Sequence, residues 1–178
     1  MRGHTVVHVV IAAGLLGWVS AAAAQTPSLT EIKAAFLFNF ANYAEWPADS
    51  LTPGQRLLLC VVDDRAIADA LTHAIKARTV GGHEVQVEVV PADGKIRTCH
   101  LLYAGPLDLK RFTQVMEMVK GAAVFTVGDD DQFAASGGIA QFIVEHDRMR
   151  FAINPAAATR ARIRLSSKLL NLAKIVKE

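Results

Sequence analysis

The stretch "RLLLCVV", residues 56–62, decides the fold class. It is a short, unbroken apolar run, the pattern of a strand buried on both faces of a mainly parallel sheet. Asp63-Asp64 follows and reads as the cap of a helix over 65–77, with apolar positions Ile67, Ala70, Leu71, Ala74 and Ile75. Beyond Gly81-Gly82, "VQVEVV" (85–90) alternates Val85, Val87 and Val89 against Gln86 and Glu88, as a strand with one covered face does. "CHLLYAG" (99–105) and "AAVFTVG" (122–128) read as further apolar strands. Between them Leu109, Phe112, Val115, Met116 and Val119 form a helical stripe closed by Gly121.

Working outward to the carboxyl side, Asp129 begins a helical turn, and Gly137-Gly138 leads into "IAQFIVE" (139–145). A turn at His146-Asp147 returns the chain along "RMRFAIN" (148–154). Asn154-Pro155 is a strong helix start, and Ser166 opens a second helix with Leu169, Leu172 and Val176 on one stripe. Strands alternating with helices and ending in a hairpin predict an α/β fold. The expected architecture is a single three-layer domain with a mixed, mainly parallel sheet flanked by helices.

On the amino side stands "EIKAAFLFNFANYAEWP" (31–47). Ser28 and Glu31 form a capping box, so a helix is predicted over 28–46, stopped by Pro47. Ile32, Phe36, Phe40 and Tyr43 share one stripe with Asn39 beside it, and Leu37, Phe38 and Ala41 widen the apolar surface. Lys33, Asn42 and Glu45 are the positions read as exposed. A helix apolar on most sides is buried on most sides.

Residues 1–24 carry Arg2, an apolar run from Val6 to Val19, and Ala21-Ala22-Ala23-Ala24, the pattern of a secretory signal peptide cleaved after Ala24. The domain is then 25–178, with a formal charge of +1 once Arg2 is removed from the full chain's +2. That balance gives no nucleic-acid footprint. Cys60 and Cys99 are the two cysteines. In an oxidising compartment an even count favours a disulfide, while two buried free thiols are the other reading.

Catalytic and cofactor motifs are missing from the sequence. There is no G-x-G-x-x-G after the first strand, no phosphate-binding G-x-x-x-x-G-K-[ST], and no G-x-S-x-G elbow. Asp129-Asp130-Asp131 lacks calcium-loop spacing and reads as a solvated, capping turn. His73, His83, His100 and His146 lack zinc spacing. No enzyme activity, cofactor or metal is therefore expected. Residues 148–178 hold eight basic residues against one acid, the reading being a solvated face or a surface for anionic lipid or an acidic protein.

The opening Lys-Ala-x-Phe-Leu-x-Asn-Phe…Trp-Pro resembles the YfiR family in its most specific motif. "CHLLYAG", the Gly-Gly strand and the closing Ser-x-Leu-Leu-x-Leu-Ala follow in the family's order, so the resemblance runs from about Leu29 to Val176. It implies a periplasmic adaptor that represses the periplasmic sensor domain of an inner-membrane diguanylate cyclase. It further implies relief by an outer-membrane, peptidoglycan-associated lipoprotein, and a homodimer. The family's first cysteine pair matches Cys60 and Cys99, which implies their disulfide; the second pair has no counterpart near Phe133–Gly138. Candidate partner contacts are Phe36, Asn39, Phe40, Tyr43 and Trp46, with Lys168 and Lys174 on the basic C-terminal helix. The alternatives are a regulator of another membrane sensor, or a small-molecule binding module with its ligand at the carboxyl edge of the sheet.

Overall fold

The computed structural model describes residues 26–146 and 148–177. The leader, its cleavage point, Asp147 and Glu178 lie outside the described residues. The predicted hairpin turn is described only at His146, which has a positive φ of 50°.

Helix α1 (Leu29–Asn42) starts at the expected capping box: the Ser28 hydroxyl accepts from Glu31 N and the Glu31 carboxylate accepts from Ser28 N. It ends earlier than Pro47 would dictate. Tyr43 is the C-cap, and Ala44–Glu45 form β1, which pairs antiparallel with β9 (Arg164–Leu165). A long-range strand pair competes here with helix continuation and wins, because it satisfies backbone groups that a frayed last turn would leave to water.

The main sheet has the order β10-β8-β7-β6-β5-β2-β4-β3. Its centre is parallel: β2 (Leu57–Val62) lies between β4 (His83–Val90) and β5 (Leu101–Tyr103), and β6 (Phe125–Gly128) and β7 (Ala140–Glu145) continue outward. β8 (Arg148–Ile153) returns antiparallel to β7, β10 (Lys174–Ile175) runs parallel to β8, and β3 (Thr79–Val80) closes a hairpin onto β4. The α/β class and mixed sheet read from the sequence are therefore present.

Alternation along β2 divides the core. Leu57, Leu59 and Val61 face α1 and α2 (Arg65–Ala74), whereas Cys60 and Val62 face α3 (Leu109–Val119). On the first face, Phe40 is fully buried and its ring stacks on Phe125 and Phe142 and meets Phe151 edge-on. On the second, Cys60 and Cys99 are joined in a disulfide with a Cα–Cα distance of 5.8 Å. A cross-link at a sequence separation of 39 stabilises the fold by about 3–4 kcal/mol through the chain entropy it removes from the unfolded state.

Several boundaries differ from the sequence reading. Cys99 and His100 precede β5, Cys99 closing a short 3-10 turn over Ile96–Thr98. α2 stops at Ala74 rather than residue 77, where Ala77 takes a positive φ of 57°. The strand expected over 122–128 begins at Phe125. The helix from Ser166 is one short element, α5 (Ser167–Leu172), so Val176 is not on it and Lys174 lies on β10. The helix at Asn154-Pro155 is α4 (Pro155–Arg160), with Asn154 as its side-chain cap.

Candidate functional site

The parallel strands β2, β5 and β6 end on one edge of the sheet, the place where open α/β folds present polar groups to a partner or ligand. After β2 come Asp63 and Asp64. Asp64 caps α2 through Ile67 N at 3.0 Å, as the sequence indicated, and Asp63 pairs with Arg111 of α3. The Arg111–Asp63 bridge is about half exposed and contributes little stability of its own.

The centre of this edge is a partly buried cluster that sequence reading did not find. Lys33, expected to be exposed, turns inward: its Nζ lies 2.6 Å from Asp129 Oδ2 and 3.3 Å from the Tyr103 hydroxyl. Tyr103 donates to the same Asp129 oxygen at 2.6 Å. The side chains of Lys33 and Asp129 are 16% and 17% exposed, so the pair is largely out of water. Burial, reinforced by the Asp129 carboxylate, pushes the Tyr103 phenol far above its ordinary pKa and keeps it a neutral donor. Asp129 Oδ1 is buried without a hydrogen-bond partner. The expected solvated run is thus divided: Asp129 binds Lys33, Asp130 accepts from Leu107 N, and the Asp131 carbonyl accepts from Gln141. The sequence signal available was a lone lysine inside a helix apolar on nearly every side; its ammonium lies 5.8 Å from the Tyr103 ring centroid and 6.0 Å from that of Phe142.

At the opposite edge, His100 is buried between two backbone partners. Leu58 N donates to Nδ1 at 2.9 Å, and Nε2 lies 3.0 Å from the Ser50 carbonyl. Burial pushes this imidazole below its ordinary pKa, with His83 adding to the depression and the Ser50 bond opposing it. Trp46 packs edge-on against it and donates its indole N–H to the His100 carbonyl at 3.0 Å.

The candidate partner residues fall into three environments. Phe40 has no exposed surface and belongs to the core. Phe36, Tyr43 and Trp46 are half-buried, Phe36 against Phe142 and Phe151. Asn39, Lys168 and Lys174 are exposed. Ser166 N donates to the Tyr43 carbonyl at 2.9 Å, so the end of α1 and the start of α5 are neighbours. Among the described residues no cluster of three or more His, Cys, Asp or Glu side chains is arranged to hold a metal, and no helix is long and apolar enough to cross a membrane.

Comparison with known proteins gives one family: the family described as YfiR/HmsC-like matches residues 30–174. No curated protein matches. Among solved structures, a conserved domain protein from Vibrio cholerae O1 biovar El Tor superposes with a TM-score of 0.55 at 13% identity, covering 84% of this chain and 60% of that one. At that identity the likeness shows the fold alone. An ABC domain from Streptococcus pneumonia, solved in complex with L-Trp, reaches a TM-score of 0.47 at 14% identity over 73% of this chain, too low to carry an argument. This chain spans 60% and 58% of the lengths of those two chains.

Proposed function

The chain belongs to the YfiR/HmsC-like family, and from that premise we propose that it is a periplasmic regulatory adaptor of diguanylate cyclase signalling. At the level of the family the match supports such a regulator, and its extent over residues 30–174 is the single observation that carries the reading. The finer parts are ours. The protein is exported with cleavage after Ala24. It binds the periplasmic sensor domain of an inner-membrane diguanylate cyclase and holds it inactive. An outer-membrane, peptidoglycan-associated lipoprotein relieves the repression, and the adaptor works as a homodimer without catalytic chemistry of its own. Phe36, Asn39, Tyr43 and Trp46 at the end of α1, with Lys168 and Lys174 nearby, supply the partner face.

Repression requires tighter binding to the inactive cyclase than to the active one, because a ligand shifts a two-state equilibrium only through differential affinity. Holding activity near 1% from an evenly balanced start takes about 2.7 kcal/mol of that difference. Deletion of the gene is expected to raise cellular cyclic di-GMP, and the full-length gene to restore it while a version lacking residues 1–24 does not. Unchanged cyclic di-GMP on deletion across several growth conditions would assign the protein to a different sensor.

A further inference from the structure

The carboxyl-terminal edge of the main sheet combines unpaired charge with exposed apolar surface. Residues 148–177 hold eight Lys and Arg and no acid; Glu178 is the one acid that follows. Arg150, Arg162 and Arg164 are engaged by Glu145, Asp49 and Glu45. Arg148, Lys168, Lys174 and Lys177 are exposed and have no ion pair among the described residues. Three of these four cations fall in the single segment formed by α5 and β10. Lys168 and Leu172 stand four residues apart on one exposed side of α5. Ala173 then passes the chain directly into β10, the edge strand of the sheet. There Lys174 lies beside Ala152 and Ile175 beside Ile153, so the two project to opposite faces at the rim. By the alternation of β8, Lys174 shares its face with Arg148 and Arg150. Leu172 is 71% exposed and Ile175 43%. The other exposed large hydrophobics among the described residues, Leu29, Val89, Leu109 and Val144, stand singly on separate elements.

We propose that the α5–β10 edge is a docking surface for the anionic phospholipid headgroups of a bilayer. Leu172 and Ile175 enter the headgroup boundary, and Lys168, Lys174 and Lys177, with Arg148 beside them, meet the negative surface. Unpaired cations around protruding apolar side chains are the pattern of a peripheral membrane contact. Two properties favour lipid over an acidic protein. Lysine predominates among the unpaired cations, and protein interfaces are depleted in lysine. Its ammonium is a point charge without the guanidinium fork, which suits headgroups that move rather than one fixed carboxylate. The apolar pair also stands out from the rim of the sheet, and a fluid boundary yields around such side chains. The contact is with the surface, since no helix among the described residues is long and apolar enough to cross a membrane. The inference goes beyond the adaptor reading and does not depend on it. Lys168 and Lys174, named above for encounter with a protein partner, act on lipid through the same long-range attraction. A protein held at the bilayer is also concentrated where a membrane-bound partner lies.

The experiment is vesicle flotation of the mature protein from the periplasm. One set of vesicles is phosphatidylcholine alone, and the other contains about a third phosphatidylglycerol. The protein is expected to float with the second set at low salt, at least about tenfold more tightly than with the first, and to lose that preference at about 1 M salt. Replacing Lys168, Lys174 and Lys177 together by Gln should lower partitioning about 100-fold, at about fivefold for each cation. Leu172→Ser with Ile175→Ser should lower it about tenfold at every salt concentration, with circular dichroism unchanged because both side chains are exposed. Leu172→Trp should add a blue-shifted emission on the anionic vesicles only. Excess soluble glycerol phosphate should not displace the protein; displacement would assign the lysines to a free phosphate and overturn the lipid site. Equal flotation with both vesicle sets, or flotation unmoved by the lysine and apolar replacements, would also overturn it. Flotation with neither set, alongside a salt-sensitive complex between the same lysines and the purified periplasmic domain of the cyclase, would give this edge to an acidic protein instead.

Discussion

Lys33 shows how one residue ties an element to the site. Its ammonium crosses from α1 to the end of β6, and both partners sit mostly out of water, where an unmatched charge is costly. Lys33→Met is expected to destabilise the protein by about 2 kcal/mol, because the Asp129 carboxylate then stays partly buried with Tyr103 as its remaining donor. Adding Asp129→Asn should recover much of that loss, and a double-mutant cycle in urea measures the coupling. A second residue sets a pH response. Burial depresses His100 below 6.5 in the folded protein, so the unfolded chain takes up a proton more readily. Stability from this group is complete above about pH 6.5 and is lost progressively as pH falls below it. Glu31 and Asp49, also lowered by their hydrogen bonds, act in the lower carboxylate range. Chemical denaturation at stepped pH should show the decline beginning near 6.5, and His100→Gln should flatten that part of the curve.

At the scale of elements, the sequence was most legible where a local rule decides the outcome. Ser28 with Glu31, Asp64 and Asn154 each satisfy the first donors of the helix that follows, and each sits where its neighbours said it would. The strands β2 and β4 were visible because burial on two faces or one leaves a different pattern. What was hidden depends on distant partners. The early end of α1 needs Arg164–Leu165 to pair with Ala44–Glu45, and nothing near residue 44 announces a segment 120 residues away. Lys174 leaves the expected helix because β8 offers Ala152 and Ile153 as strand partners. The Lys33–Tyr103–Asp129 cluster joins three elements, so no single window of sequence contains it. Gly128 and Gly138 belong to the same class: each is the floor on which the Phe133 ring lies, and a Cβ at either would run into that ring.

For the whole molecule, charge is nearly balanced, so long-range attraction to a partner must come from a local patch rather than the net field. The basic residues after position 148 supply one. Lys168 on α5 and Lys174 on β10 are exposed, and α5 begins beside the end of α1, where Tyr43 is half-buried. Exposed charges of this kind accelerate encounter, whereas desolvated aromatic anchors slow separation. If the adaptor reading holds, the two roles separate experimentally. Lys168→Glu with Lys174→Glu should lower the association rate with the purified periplasmic domain of the cyclase about tenfold at low salt, and leave the dissociation rate unchanged. The difference should vanish at about 1 M salt, where the screening length falls to about 3 Å. Phe36→Ala should do the reverse, raising the dissociation rate at every salt concentration. An association rate unmoved by the double charge reversal would place the partner on another face of the molecule.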